Sequence, residues 1–252
     1  PDVAYASTVQ VTVNNGGCKG SATSNITVNP KANPSLTGDA ARCHGQSGTY
    51  TTPFVVNGRS YTWTLVNAPT GSVFAANNGT TFTGLNANSV VVNWANTGTA
   101  PVNATVQVVE TPAVGSCTGT STFNVTVNPL PVVTISGPAQ VCQNTTVAYN
   151  ATPAQTGLSY AWNVTGATSW SGQGTGTINV TWGTANGVIS LTATNNGTSC
   201  TNTATNNNFA VAVTLNPQPA IATPPGTTAC AGSTLTYSVQ NPQVGLTYTW
   251  SN

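Results

Sequence analysis

Charge is what this sequence has least of. Lys and Arg number 4 and Asp and Glu 3 in 252 residues, and methionine is absent. Soluble proteins carry charge on about a quarter of their residues. Four cations cannot neutralise a run of phosphates, which excludes nucleic acid as a partner. Three acids (Asp2, Asp39, Glu110) cannot supply the roughly six to eight oxygens of a calcium cage in each domain without heavy backbone help. The single histidine, His44, leaves little for zinc or acid–base chemistry. With so few titratable groups and no GxSxG elbow, an enzyme is not expected. No catalytic, cofactor-binding or metal residues are assigned, and no cofactor. No apolar run nears the 18 or so residues of a membrane span and no signal peptide is visible, so membrane insertion is not expected. Charge-driven disorder is excluded too, because 38% of residues are hydrophobic and the net charge is +1.

What is present is a repeat. Asn29-Pro30, Asn128-Pro129 and Asn216-Pro217 close the segments NITVNP, NVTVNP and VAVTLNP, with the asparagines 99 and then 88 residues apart. Cys43, Cys142 and Cys230 keep the same two spacings, as do Tyr61, Tyr160 and Tyr248, each followed two residues on by Trp63, Trp162 or Trp250. Trp94 and Trp182 are 88 apart, and Cys18, Cys117 and Cys200 are 99 and 83 apart. Landmarks in one order at one spacing mark an array. The phase divides the chain into residues 1–30, the C-terminal strands of a preceding repeat; two whole repeats, 31–129 and 130–217; and residues 218–252, the N-terminal strands of a following one. A repeat cut in mid-sheet cannot close its own core. The polypeptide is therefore expected to extend both ways, or a neighbouring copy to complete the ends.

Local pattern reads as all-β. STVQVTV, SYTWTLV, SVVVNW, ATVQVV, LSYAWNV, TINVTW and VISLTAT alternate apolar residues with Thr, Asn or Ser, the period of strands with one buried face. Asn15-Gly16, Asn57-Gly58, Asn78-Gly79, Asn186-Gly187 and Asn196-Gly197 supply turns. Six or seven short strands in about 90 residues fit a β-sandwich of immunoglobulin-like type. The proline linkers are stiff, so tandem sandwiches would form an extended array. Tyr61, Trp63, Trp94, Tyr160, Trp162, Trp182, Tyr248 and Trp250 recur at strand positions and are read as core aromatics, with a sugar-stacking platform as the alternative. Trp170 does not recur. It is the candidate for an exposed contact residue, against a loop aromatic folded over the sheet.

The order VCxN/G…Y, YxWxV, VxVxW and GxC…TVTVNP resembles the PKD-like and immunoglobulin-like repeats of giant secreted bacterial surface proteins, especially the type IX-secreted adhesins of Bacteroidota. The resemblance spans essentially the whole chain. It implies a non-catalytic extracellular array forming a stalk, fibre or filament of a cell-surface adhesin. It stops at the acidic glycine-rich loop that follows the tryptophan in PKD domains. Trp63-Thr-Leu-Val-Asn67 and Trp162-Asn-Val-Thr-Gly166 stand there instead, so no calcium role is carried over.

Each whole repeat holds one cysteine before strand B and one in the F–G hairpin. Sparse, regular cysteines in a secreted array point to disulfides. Pairs within a repeat would be Cys43–Cys117 and Cys142–Cys200. The two positions lie at opposite ends of a sandwich, about 25–30 Å apart by strand rise, whereas a disulfide needs Cα atoms within about 7 Å. A clamp between consecutive repeats, Cys43–Cys200, is therefore favoured. Cys18 and Cys117 would then pair backwards and Cys142 and Cys230 forwards; intra-repeat pairs and free thiols stay open. Asp39, Arg42 and His44 read as a solvated loop. The near-neutral surface removes charge repulsion, and identical copies are the expected partners, in a filament or laterally. Surface polysaccharide, gripped by a carbohydrate-binding accessory module, is the second possibility.

Overall fold

The computed structural model describes residues 4–29, 31–53, 58–95, 98–113, 115, 117–222 and 228–251. Asp2, Pro30 and Asn57, named above, lie outside the described residues. The regular structure described is β throughout, as the alternation predicts. The chain divides into two compact units. One comprises Pro1–Val133, Pro153–Tyr160 and Thr192–Thr205; the other comprises Thr134–Thr152, Ala161–Leu191 and Asn206–Asn252. This division cuts across the sequence repeats, because residues 153–160 and 192–205 are tied to the first unit. Gln155 Nε2 donates to Val132 O at 2.9 Å and Asn202 Nδ2 to Pro131 O at 3.0 Å.

The first unit opens with the hairpin β1 (Tyr5–Asn15) and β2 (Cys18–Val28), whose two strands are exposed along almost their whole length. Asn15 pairs with Cys18, which sets the tight turn at Gly16-Gly17. Sequence reading placed it one residue earlier. Both glycines have positive φ, 57° and 92°, the conformation a two-residue hairpin demands and side chains resist.

Next come β3 (Thr37–Gly38), β4 (Ala41–Cys43), β5 (Ser47–Thr51), β6 (Ser60–Val66), β7 (Val73–Phe74), β8 (Thr81–Leu85), β9 (Ser89–Asn93), β10 (Val102–Thr111) and β11 (Gly119–Asn128). They form two sheets in the orders β4-β11-β10-β6-β8 and β3-β5-β9-β7. Pairing is antiparallel except where β4 runs parallel to β11. Along β6, Tyr61, Trp63 and Leu65 point into the core and Thr62 and Thr64 do not. Leu36, Tyr50, Phe74, Val90, Val92, Trp94, Ala104, Val106, Val108, Val125 and Val127 complete the cluster. Each such large side chain removed from water contributes roughly 2–3 kcal/mol. This is a β-sandwich.

The same element order follows in β12 (Thr134–Ser136), β13 (Gln140–Cys142), β14 (Thr146–Thr152), β15 (Leu158–Thr165), β16 (Ala167–Ser171), β17 (Thr177–Trp182), β18 (Gly187–Asn195), β19 (Thr201–Thr203) and β20 (Phe209–Thr214). The sheet orders are β12-β14-β17-β16 and β13-β20-β18-β15, with β13 parallel to β20. Hydrogen bonds recur at matched positions. Thr126 N donates to Ala40 O and Ala212 N to Ala139 O, both at 2.8 Å; Trp94 N donates to Gln46 O and Trp182 N to Thr145 O, both at 3.0 Å. One difference is local. β7 pairs with β9 as β16 does with β17, but β8, which pairs with β6 in the first case, has no counterpart beside β15 among the described residues. On β15, the Gln173 amide instead donates to Trp162 O and accepts from Trp162 N. It satisfies backbone groups that a neighbouring strand would take.

The chain closes with β21 (Ala220–Ala222) paired to β22 (Ser238–Gln240), three residues each.

Candidate functional site

The cysteines are the chemically distinctive residues. In the first unit Cys43, at the end of β4, is joined to Cys200, with Cα atoms 5.6 Å apart and a sequence separation of 157. Both are buried. The end of β4 is anchored by parallel pairing to β11 and by the His44 N–H donating to Asn128 O at 2.9 Å. Cys200 sits in a tight turn, where Asn195 N donates to Cys200 O and Ser199 N to Asn195 O. The pairs Cys43–Cys117 and Cys142–Cys200 are not formed. Cys18, Cys117, Cys142 and Cys230 are free and exposed. Beside the disulfide, His44 is buried rather than solvated, a correction to the sequence reading. Its ring nitrogens have no hydrogen-bond partner among the described residues. Asp39 and Arg42 form an ion pair at the surface.

The aromatic residues fall into two classes. Tyr61, Trp63, Tyr160 and Trp162 are buried. Trp63 Nε1 donates to Ala87 O and Trp162 Nε1 to Thr175 O, each at 2.8 Å, so these two buried indoles keep a partner. Trp94 and Trp182 are buried in the core as well. Each meets a tyrosine that the sequence reading did not single out. Tyr50 and Trp94 pack edge to face with centroids 6.1 Å apart, and Tyr149 and Trp182 do so at 6.2 Å. Phe123 and Phe209 complete the trios at 5.9 and 6.1 Å. The signal was available: Tyr50 and Tyr149 are 99 residues apart, like the cysteines.

These tyrosines lie flat over glycines. A Cβ on Gly137 would stand 2.3 Å from Tyr149 Cδ1, and one on Gly38 equally close to Tyr50 Cδ1. Replacing Gly137 by alanine is expected to cost about 1–3 kcal/mol through forced displacement of the ring. Chemical denaturation would read this as an earlier midpoint, and an unchanged midpoint would refute the packing.

Burial pushes both hydroxyls above the ordinary tyrosine value of 10.0. For Tyr50 the effect is opposed by the Trp94 indole and the Arg42 charge, and for Tyr149 by the Trp182 indole. An acid whose folded pKa is raised loses its proton more readily in the unfolded chain. The stabilisation is therefore complete below the ordinary value and is lost as pH rises through the raised folded values. Thermal melts should fall above about pH 10, and Tyr50→Phe with Tyr149→Phe should flatten that decline.

The remaining aromatics differ from expectation. Trp170 is not on a loop: it lies on the edge strand β16, paired with Val180, and is partly buried. Trp250 is 52% exposed and Tyr248 only partly covered, so neither is a core residue here. The reason is local, since β21 and β22 form only a two-stranded sheet, too small to bury a YxW segment. A buried ion pair was also missed. Arg59 and Glu110 meet with both side chains almost wholly enclosed.

No group of three or more His, Cys, Asp or Glu among the described residues could hold a metal ion. No described helix is long and apolar enough to cross a membrane.

Residues 128–211 match the family model of a PKD-like domain. No curated protein matches the chain. Among solved structures, the C-terminal 282-residue fragment of intimin, in complex with the translocated intimin receptor's intimin-binding domain, is 15% identical. It aligns over 76% of this chain and 66% of its own, with a TM-score of 0.41. Chicken CNTN1 FN1–FN3 domains are 13% identical over 80% of this chain and 73% of theirs, with a TM-score of 0.35. Murine CEACAM1b is 10% identical over 71% of this chain and 100% of its own, with a TM-score of 0.29. The described structure is thus an all-β protein of β-sandwich fold, of which residues 128–211 match a PKD-like domain. No catalytic family is identified.

Proposed function

We propose that the chain is a non-catalytic, extracellular tandem array in which repeats 31–129 and 130–217 are clamped covalently, serving as a stalk or fibre segment of an adhesin-type surface protein. The disulfide carries this reading. It joins the strand-end cysteine of one repeat to the hairpin cysteine of the next, so tension has a second covalent route besides the linker. Disulfides persist in oxidising, extracellular compartments. The recurrence of the same hydrogen bonds and aromatic trios at matched positions supports the repeats, and the match to a PKD-like domain supports the setting.

Pulling the chain by its ends tests it. At about 3.4 Å per residue, the 157-residue span hidden behind the bond is worth roughly 500 Å of extension. Oxidised molecules should fall short of reduced ones by that length. Equal extension would remove the clamp from the mechanism.

A further inference from the structure

The second sandwich is one strand short on the flank where β15 ends its sheet. Trp94 follows Trp63 by 31 residues in the first repeat, whereas Trp182 follows Trp162 by only 20 in the second. What the second repeat lacks is β8 with its turns. In the first repeat β8 covers the edge of β6: Leu65 N donates to Thr80 O at 2.9 Å, and Phe82 stands directly opposite Trp63. Facing pairs two residues apart in an antiparallel ladder share one type of bonding. The Phe82 backbone therefore donates to Trp63 O and accepts from Trp63 N.

At Trp162, the counterpart of Trp63, the Gln173 side chain makes that same pair of bonds. Its Nε2 donates to Trp162 O at 3.1 Å and its Oε1 accepts from Trp162 N at 2.8 Å. One amide thus stands in for one residue of a strand. Val164, at the place of Leu65, is only partly buried, and no described strand pairs with β15 on that side.

Edge strands are commonly blunted by charge or proline. β15 has neither, and residues 111–252 contain no Lys, Arg, Asp or Glu. The flank also carries apolar surface. β16 is joined to β15 through Gly166 alone, and its Trp170 stands opposite the buried Val180, so it faces inward, yet it is only partly covered.

We propose that the β15 edge from Trp162 to Val164 is a strand-acceptor site for an extended, uncharged segment of β8 type, with an aromatic residue opposite Trp162 and threonines on either side of it, and that the Gln173 amide is the gate which the incoming strand displaces. Main-chain hydrogen bonds hold such a strand, and its alternate side chains supply selectivity. The occupant is uncharged because a charged side chain would find no counter-charge on this flank. Its aromatic residue takes the place of Phe82, which packs against the core of the first sandwich. The inference uses the correspondence between the two sandwiches and not the disulfide, so it stands or falls apart from the clamp.

The test uses the full 15N-labelled chain and, as probe, the capped peptide Gly-Thr-Thr-Phe-Thr-Gly-Leu-Asn-Ala, the sequence of residues 79–87. On titration, the backbone amide signals of Trp162 and Val164 and the side-chain amide of Gln173 should shift together and saturate. Gln173→Ala should lower the peptide concentration at half-saturation about tenfold, because two hydrogen bonds no longer have to be displaced. The same peptide N-methylated at its phenylalanine cannot donate to Trp162 O and should leave those signals unmoved. The parent titration and the methylated peptide decide the matter even if Gln173→Ala does not fold. No shift at Trp162 and Val164 with millimolar peptide, equal shifts with the methylated peptide, or shifts centred on β6 instead would each overturn the proposal. So would dimerisation of Gln173→Ala without peptide, read by sedimentation, because the edge would then belong to a second copy of this chain.

Discussion

Replacing Cys43 and Cys200 together by alanine is expected to lower the unfolding free energy by about 4 kcal/mol. The bond closes a loop spanning 157 residues. In the chain-entropy description a cross-link removes conformations from the unfolded ensemble in proportion to the logarithm of loop length, and a loop of this size lies near the upper end of the usual range. The native state also loses something, since both cysteines are buried and pack beside the enclosed His44. Guanidinium denaturation of the double variant, against the parent with and without reductant, measures the effect. The reduced parent and the variant should agree. A midpoint unmoved by reductant would mean that the cross-link constrains nothing in the unfolded chain.

Glu110→Gln is expected to cost about 3 kcal/mol or more, an effect out of proportion to the loss of one charge. Glu110 and Arg59 are both almost wholly enclosed and form an ion pair, in a chain with almost no other charge. Removing one partner leaves the other buried without its counter-charge, and that desolvation is what the variant exposes. The matched positions of the next repeat offer a control, because Leu158 stands at the place of Arg59 and Ala193 at that of Glu110. Arg59→Leu with Glu110→Ala should therefore lie within about 1 kcal/mol of the parent, far above the single variant. Equal losses in the single and double variants would show that the two side chains act by shape and not by charge.

The two effects bear differently on a mechanical role. The disulfide acts on the connection between distant parts of the chain, whereas the ion pair acts inside one sandwich. A force measurement should therefore see the first as a change in extension and the second only as a change in the force at which one sandwich opens.

Much was legible in residue order alone. Alternation in SYTWTLV and TINVTW determined β structure and which residues face inward, because side chains of a strand alternate by geometry whatever surrounds them. The spacing of Asn-Pro, Tyr-x-Trp and cysteine landmarks determined which positions correspond, and it placed Trp63, Trp94, Trp162 and Trp182 among residues that proved to be buried. Strand period could not reveal whether a given inward face would be covered. Val11 and Val108 carry the same local pattern, yet one is exposed and the other enclosed. Trp250 misled for that reason. Pairing between remote residues likewise depended on the closed sheets: the join of Cys43 to Cys200, the meeting of Arg59 with Glu110, and the seating of Tyr50 and Tyr149 over glycines. Periodicity is a property of one strand, but burial and cross-links belong to the strands that pack against it, and only the folded chain brings those together.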